Sequence, residues 1–301
     1  MHIPDHMLQG AICPATAALA LAGVGAALVA ASRSRNKPAI GRFAAITALI
    51  FAAQMMNFPI AGGTSGHLLG AALATALLGT PFAVLAMTLV VAVQALVFGD
   101  GGLMVLGANI LNMALIGVAA VALLQRLWNS EALRSSWRTG LAFGAAGWLS
   151  VLLAALAVSL QLALAGAVQF ATVAGSMLRV HALIGLGEGL ITAAALALLA
   201  RPAQRDLPGF SQMARPFVAA CGIGLLLSPL ASSLPDGLER VAENLHFMPS
   251  EEIAFWSPLT DYQLAAVGHE ALATGLAGLC GVLLTFTLAW LVARPLQARL
   301  G

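Results

Sequence analysis

The chain has 301 residues, of which 60% are hydrophobic and only 9% are charged, and its formal net charge is +2. Its mean hydropathy of +0.93 lies far above that of water-soluble domains, which excludes a soluble enzyme and a nucleic-acid-binding protein. Apolar segments close to the ~20 residues that cross a bilayer recur between short charged stretches. The composition therefore predicts an all-α fold, namely a polytopic helical membrane protein surrounded by lipid.

About nine transmembrane helices are predicted from these apolar segments, which lie near 11–31, 40–58, 66–79, 80–98, 103–127, 139–165, 177–200, 214–232 and 265–293. Inside the range 66–98, Gly79-Thr80-Pro81 favours two helices joined by a tight turn, and one kinked helix is the alternative. No basic region precedes the first apolar segment, so we expect the first helix to be retained and not removed with a signal peptide.

Basic residues collect after the first, fifth, seventh and ninth predicted helices. The positive-inside rule places all of these stretches in the cytoplasm. With nine crossings the N-terminus is then outside, the C-terminus is inside, and the acidic segment 233–264 faces outward. The basic residues are Arg33, Arg35, Lys37, Arg42, Arg126, Arg134, Arg138, Arg201, Arg205, Arg215, Arg294 and Arg299.

The polar, proline-bearing segment 201–215 is predicted to be a cytoplasmic linker. It divides the chain into a seven-helix domain, 1–200, and a two-helix C-terminal module, 216–301. Lys37 is the only lysine and is followed by Pro38, so the chain contains no phosphate-binding loop of the ATPase type. Any ATP hydrolysis would have to come from separate subunits.

The N-terminal dipeptide Met1-His2 is a candidate metal chelate. The amine of Met1, the main-chain nitrogen of His2 and one ring nitrogen of His2 can close two fused rings around a metal ion. A fourth in-plane position is left for a donor elsewhere, and such a square-planar set of nitrogens suits nickel(II) or copper(II). A frayed chain end without a ligand is the alternative for the dipeptide alone.

A second candidate donor, His67, is predicted near the start of the third helix. The spacing of Gly62, Gly66 and Gly70 predicts a bare helical face there, against which another backbone can pack. His67 would face the same outer cavity as Met1. A histidine inside a membrane protein indicates function, and a structural histidine is the alternative.

Two further groups of polar residues are candidates for supporting roles. Side chains that orient the histidine at position 67 are expected close to it in sequence, namely Asn57, Thr64 and Ser65. His181 and Glu188 fall on one helical face, which favours a buried pair that supports the fold. A proton or metal relay is the alternative for this pair.

Four blocks of sequence, in this order, resemble the CbiM/NikM family, the substrate-binding (S) components of energy-coupling factor (ECF) transporters for cobalt and nickel. The resemblance covers residues 1–200. The blocks are Met1-His2-Ile3-Pro4-Asp5; Asn57-Phe58-Pro59 with Gly62-Gly63-Thr64-Ser65-Gly66-His67; Phe98-Gly99-Asp100-Gly101-Gly102 with Leu106-Gly107-Ala108-Asn109-Ile110-Leu111-Asn112-Met113; and His181 with Gly185 and Glu188.

The resemblance implies that the metal ligands are the amine of Met1, the main-chain and ring nitrogens of His2, and His67. Nickel(II) or cobalt(II) would be the transported substrate, and no cofactor and no enzymatic activity are implied. His6 stands where relatives resemble Gly-Phe, which adds a potential donor near the site, although Pro4 disfavours a helical metal pair of His2 and His6. The implied partners are a transmembrane scaffold (T) subunit and ATP-binding cassette ATPases in a bacterial or archaeal cytoplasmic (inner) membrane.

The segment Pro235-Asp236-Gly237-Leu238-Glu239 resembles the PDGLE motif of the small two-helix N component of these transporters. The resemblance implies a fused N component that assists metal loading, and it favours nickel over cobalt. For the side chains of Asp236 and Glu239 alone, capping of a surface helix is the plainer interpretation.

Two other functional classes receive less support from the sequence. His269-Glu270 suggests a metalloprotease helix, but the second histidine of that motif would stand at Ala273. Glu188 and His181 suggest a proton-coupled secondary metal transporter, but no internal repeat of the kind that such carriers often contain is visible.

Overall fold

The computed structural model of the protein describes residues 1–128, 136–199, 209–249 and 257–297, which form eleven α-helices and one short hairpin. Short π-helical turns extend α4 to Phe98 and α9 to Leu227, and the π-helix Ile110–Ile116 joins α5 to α6. In chain order the elements are α1 (Ile12–Arg33), α2 (Ile40–Gln54), β1 (Phe58–Ile60), β2 (Thr64–Gly66), α3 (Ala71–Leu78), α4 (Thr80–Val93), α5 (Leu106–Asn109), α6 (Gly117–Leu127), α7 (Ser136–Leu164), α8 (Phe170–Leu199), α9 (Gly209–Gly222), α10 (Gly237–Leu245) and α11 (Glu270–Gln297).

Seven helical stretches of the described ranges are long and apolar enough to cross a membrane, so the protein is a polytopic helical membrane protein. The two other predicted segments are present as the shorter helices α2 and α3, of 15 and 8 residues. The seven stretches are Ile12–Arg33, Thr80–Phe98, Leu106–Leu127, Trp137–Leu164, Phe170–Leu198, Ser211–Leu230 and Glu270–Gln297.

Gly79 separates α3 from α4, so the range 66–98 contains two helices and not one kinked helix. Its φ of 80° lies in the left-handed region, which glycine adopts without the steric cost that a side chain carries. Pro81 then occupies the first turn of α4, where its missing N–H leaves no helical hydrogen bond unmade.

The third predicted helix was placed too early, because it begins at Ala71 and not near residue 66. The preceding residues form an antiparallel hairpin in which β1 pairs with β2. Gly62 and Gly63 turn this hairpin with φ of 85° and 70°, and Gly70 ends the extended segment with φ of 87°. These left-handed conformations break a helix, so the glycines spaced four apart do not share a helical face.

Two predictions about the second half of the chain also need correction. Helix α8 begins at Phe170, seven residues before its predicted start, and α9 begins at Gly209, inside the predicted linker 201–215. Residues such as Gln212 and Met213 are good helix formers, so the polarity of this stretch was misleading. Residues 201–208 and 250–256, together with Arg134 and Arg299, lie outside the described residues.

Helix α2 lies at the centre of the packing between the two parts of the chain. It is buried along most of its length and packs against α9 and α11 of the C-terminal module. The ring of Phe51 lies directly against Gly281 of α11, where a Cβ atom would collide with it. Close contact at such small residues is typical of helices that associate within a membrane.

Glu188 of α8 is fully buried and binds the start of α3, not His181. Its carboxylate accepts hydrogen bonds from the main-chain N–H groups of Leu69 at 2.5 Å and Gly70 at 3.0 Å. His181 Nδ1 is instead 2.8 Å from the carbonyl oxygen of Met177, and within the described parts of the chain no hydrogen bond joins His181 to Glu188. The predicted His–Glu pair is therefore wrong, although both residues lie on α8.

Replacing Glu188 by alanine is expected to destabilise the fold, because two buried N–H groups at the start of α3 would lose their acceptor. The cost should be roughly 2 kcal/mol or more, since each unsatisfied buried donor costs about 1–3 kcal/mol. Glu188→Gln keeps an acceptor oxygen and should lose less. Thermal unfolding of both variants in the same detergent tests this order, and an alanine variant as stable as the glutamine variant would contradict it.

Candidate metal-binding site

The first residues of the chain are held inside the molecule by main-chain and side-chain hydrogen bonds. Ile3 is fully buried, and its N–H donates to Asn109 Oδ1 at 2.8 Å. The carbonyl oxygen of Ile3 accepts from Asn109 Nδ2 at 3.0 Å and from the N–H of Gly102 at 2.8 Å. The carboxylate of Asp5 accepts from the N–H groups of Leu103 and Met104. A frayed N-terminus is therefore excluded.

The amine of Met1 lies beside the two buried histidines of the site. It is 2.9 Å from Nε2 of His67, and the rings of His2 and His67 stack with centroids 5.2 Å apart. Metal–nitrogen bonds near 2 Å that meet at a right angle place two nitrogens about 2.8 Å apart. The amine and Nε2 of His67 thus have the spacing expected of neighbouring ligands.

His67 presents a single nitrogen to the amine. Its Nδ1 is 2.9 Å from the carbonyl oxygen of Leu68, which fixes the ring and leaves Nε2 free to accept. Burial, followed by the positive charge of the amine and by His2, lowers the pKa of His67 to about 3, so the imidazole is neutral at pH 7. None of the predicted orienting residues Asn57, Thr64 and Ser65 binds this ring.

The ring of His2 lies between two acceptors that the sequence did not identify as partners. Nδ1 is 3.0 Å from Oδ1 of Asp100, and Nε2 is 3.1 Å from Oε1 of Gln94. The other oxygen of Asp100 accepts from the hydroxyl of Tyr262 at 2.5 Å. Burial by itself would raise the pKa of Asp100, but the contacts with His2 and Tyr262 hold it well below its usual range.

The C-terminal module reaches this site through the hairpin strand that precedes His67. The carbonyl oxygen of Pro235 accepts from the N–H of Ser65 at 2.8 Å and from the hydroxyl of Thr64 at 3.0 Å. The hydroxyl of Ser65 donates to the carbonyl oxygen of Leu234 at 2.7 Å. Thr64 and Ser65 therefore bind the module and not the histidine ring.

Asp236 contacts both the start of α10 and the amine of Met1, which is one of the candidate ligands. Its Oδ1 accepts from the N–H groups of Leu238 and Glu239, and Oε2 of Glu239 accepts from the N–H of Asp236, which completes a capping box at the start of α10. Its Oδ2 forms an ion pair with the amine of Met1. Burial raises the pKa of Asp236, but the charge of the amine, the nearby His67 and the hydrogen bonds from the amine and from the N–H of Glu239 together lower it overall.

The remaining motif residues pack tightly against the seven-helix domain. Gly237 lies against Ile184 and the ring of His181, and a Cβ atom at this glycine would collide with both. Leu238 is fully buried, and Nε2 of His181 has no hydrogen-bond partner among the residues that the structure describes. All five residues of the motif are thus placed beside the hairpin, α8 or the N-terminal amine.

An open cavity of about 560 Å³ leads to the two histidines. Among the described residues that line it are five carboxylates and no lysine or arginine, so it attracts cations. His6 is not part of it, because this residue is exposed and lines a different cleft. The five carboxylates belong to Asp100, Asp236, Glu239, Asp261 and Glu270.

In the ranges that the structure describes, no three His, Cys, Asp or Glu side chains lie together in a group that could hold a metal ion. The candidate ligands at Met1, His2 and His67 include two main-chain nitrogens, which are not part of any side-chain group. The sequence indicated this site only through the position of His2 directly after the N-terminal residue.

The fold and the site define a polytopic membrane protein whose N-terminal amine is buried within a group of nitrogen donors. The family described as "Cobalt uptake substrate-specific transmembrane region" matches residues 2–206, and the family described as "PDGLE domain" matches residues 213–298. The chain belongs to the CbiM family and carries a PDGLE domain in its C-terminal third.

Some relatives match nearly the whole chain and are named as fused proteins, and others match about two thirds of it. A fused NikMN chain of Archaeoglobus fulgidus is 34% identical over 98% of both chains. The fused nickel transport protein NikMN of Rhodobacter capsulatus is 29% identical over 94% of both, and the cobalt transport protein CbiM of Sorangium cellulosum is 33% identical over 66% of this chain and 91% of its own. A crystal structure of a truncated transition metal transporter, 30% identical, superposes with a TM-score of 0.59 over 66% of this chain and 98% of its own.

Proposed function

We propose that the protein is the substrate-specific component of an ECF-type importer and that it binds a divalent transition metal for ATP-driven uptake. The observation that supports this most strongly is the 2.9 Å approach of the Met1 amine to Nε2 of His67, beside the stacked ring of His2. The metal is cargo in this proposal and not a resident cofactor. The family to which residues 2–206 belong is described as a cobalt uptake region, which agrees with metal transport.

The proposed ligands are the amine of Met1, the main-chain nitrogen and Nδ1 of His2, and Nε2 of His67. Only Nδ1 of His2 can close a small ring with the main-chain nitrogen of the same residue. Because Nδ1 is 3.0 Å from Asp100 in the structure, metal binding exchanges this contact for the metal ion. The proposed set requires that Met1 is kept as the first residue of the mature chain.

Nickel(II) is the proposed substrate, and cobalt(II) is the second candidate. Four nitrogens in one plane suit nickel(II), whose preferred geometries include the square plane. A relative that shares the fused organisation over nearly its whole length is named a nickel transport protein. Cobalt(II) is supported by the name of the CbiM relative, which matches 66% of the chain.

The proposed orientation has the N-terminus outside, the C-terminus inside and nine crossings, in a bacterial or archaeal cytoplasmic membrane. It places the acidic cavity and both histidines on the outer side, where a nutrient metal arrives. Residues 1–200 would form the S component, 201–215 the cytoplasmic connection and 216–301 the N component. A T subunit and ATP-binding cassette ATPases would supply the energy, because the chain contains no phosphate-binding loop.

Uptake of radioactive nickel and cobalt by cells that express this chain with its partner subunits tests the proposal. We expect uptake of nickel at submicromolar concentration, inhibition by excess cobalt that is weaker than inhibition by unlabelled nickel, and loss of uptake when the ATPases carry inactive phosphate-binding loops. Cells without this chain but with the partners provide the control. Uptake that continues with inactive ATPases would contradict ATP-driven transport, and equal preference for cobalt would contradict the choice of nickel.

A further inference from the structure

We propose that Asp236 of the C-terminal module is a positioning residue for metal binding, because it holds the amine of Met1 beside His67. The inference rests on the proposed function of the same site. It assigns to the fused module a direct contact with a ligand, in addition to the helix cap that Asp236 forms.

The two oxygens of the Asp236 carboxylate have separate partners. Oδ1 is fixed by the N–H groups of Leu238 and Glu239 at 2.7 and 2.9 Å, at the N-terminus of α10. Oδ2 pairs with the amine of Met1, whose side chain is buried, while 14% of the Asp236 side chain is exposed. A carboxylate that is anchored in this way cannot follow the amine, so the amine takes its position from Asp236.

Asp236 and His67 are also fixed relative to each other. Pro235, directly before Asp236, bonds through its carbonyl oxygen to the N–H of Ser65, two residues before His67. The amine of Met1 contacts both Asp236 and His67. The hydrogen bonds at Ile3 and at the ring of His2 restrain the N-terminal strand, but none of them holds the amine itself. Loss of the ion pair at Asp236 would leave the amine with His67 Nε2, its other hydrogen-bond partner among the described residues.

Nearby carboxylates are already engaged and cannot replace Asp236. Asp100 is occupied by His2 and Tyr262, and Glu239 accepts from the N–H of Asp236 itself. Asp236 is therefore the carboxylate that the structure assigns to the amine.

The contact is compatible with metal binding. When the amine gives its lone pair to a metal ion it releases one proton and keeps two N–H groups, and one of these can still donate to Oδ2 of Asp236. A ligand whose remaining N–H donates to a carboxylate is the usual arrangement around protein-bound metals, and loss of such a partner typically costs 10–100-fold in affinity. Asp236 thus supports the ligand and does not compete with the metal.

The variants Asp236→Asn and Asp236→Ser separate the two roles of this residue. Asparagine and serine are both good helix caps, so α10 keeps its start, but neither carries the negative charge that pairs with the amine. Both variants of the full chain, purified in detergent, are titrated with nickel against a competing chelator. We expect about a tenfold loss of affinity in each, in line with the loss of a supporting carboxylate, and an unchanged absorption spectrum of bound nickel.

Glu243→Gln is the matched control, because it removes a carboxylate from the same helix, where Glu243 pairs with Arg240 and not with the amine. Its nickel affinity should equal that of the unmodified chain. In cells with the partner subunits, the two Asp236 variants should need a higher nickel concentration for half-maximal uptake while their maximal rate is kept.

The outcomes separate this inference from the proposed function. An unmodified chain that binds neither nickel nor cobalt overturns the proposed function. An unmodified chain that binds nickel, with both Asp236 variants equal to it or tighter, overturns the anchoring role alone. A changed nickel spectrum in the variants also overturns it, since Asp236 would then be a ligand. Weaker binding with the same spectrum supports it.

Discussion

One additional alanine ahead of Met1 is expected to abolish high-affinity nickel binding while the protein still folds. The extension converts the amine of Met1 into a peptide nitrogen and moves the new amine away by up to ~3.6 Å, the length of one extended residue. The chelate formed with His2 is then broken. Met1 is 6% exposed, so the pocket has little space for another residue.

The affinity should fall by more than about 100-fold, because loss of a ligand costs more than the 10–100-fold typical of an outer partner. A titration of the purified chain with nickel in the presence of a competing chelator measures this loss. Mass spectrometry of the intact proteins establishes that Met1 begins one chain and alanine the other. The control carries the alanine after Gly301. Nickel binding of normal affinity by the N-terminally extended chain would rule out the amine as a ligand.

His67→Ala should weaken nickel binding by about 100-fold or more and reduce uptake to background, since the fourth nitrogen would be missing. His67 is 8% exposed, and its ring also stacks on His2, so the variant removes a contact of the second ligand residue as well. Uptake at limiting nickel concentration with the partner subunits present provides the measurement.

The matched control for this variant is His269→Asn, which removes another histidine outside the site and keeps a residue suited to a helix start. It should transport nickel normally. Transport by the His67 variant at the rate of this control would show that the histidine is not a ligand.

Most helices could be predicted because seven of the apolar segments contain enough residues to reach across a bilayer, whereas the hairpin before His67 could not. Gly62, Gly66 and Gly70 repeat every four residues, which is compatible with a helical face as well as with a turn. The backbone angles of these glycines distinguish a helical face from a turn, and the angles cannot be read from the sequence. As a result β1, β2 and the late start of α3 were missed.

The candidate site was predicted in part. Met1, His2 and His67 were expected to meet, and the structure brings them together, while their role as ligands stays a prediction. The contact of Asp100 with Tyr262 spans 162 positions of the chain and depends on how residues 257–263 fold over the turn after α4. No local sequence pattern predicts such a contact. The chain contains a single tyrosine, and this was the one feature of the sequence that could have drawn attention to residue 262.

Asp236 shows how one residue can combine two interpretations. Sequence patterns predicted either a structural cap or a part in metal loading for this residue, and the structure shows the cap together with an ion pair to the amine. The cap follows from local sequence, because Asp236 and Glu239 have the spacing of a capping box. The ion pair depends on the chain end, which lies 235 residues away.

X-ray absorption spectroscopy of the nickel-loaded full chain tests the central claim most directly, because it reports the number, type and geometry of the metal ligands. Four nitrogens in a square plane at about 2 Å, three of them shared between the two fused chelate rings, are the predicted result. Six-coordinate nickel bound mainly through oxygen would contradict the proposed ligands and place the metal in the acidic cavity instead.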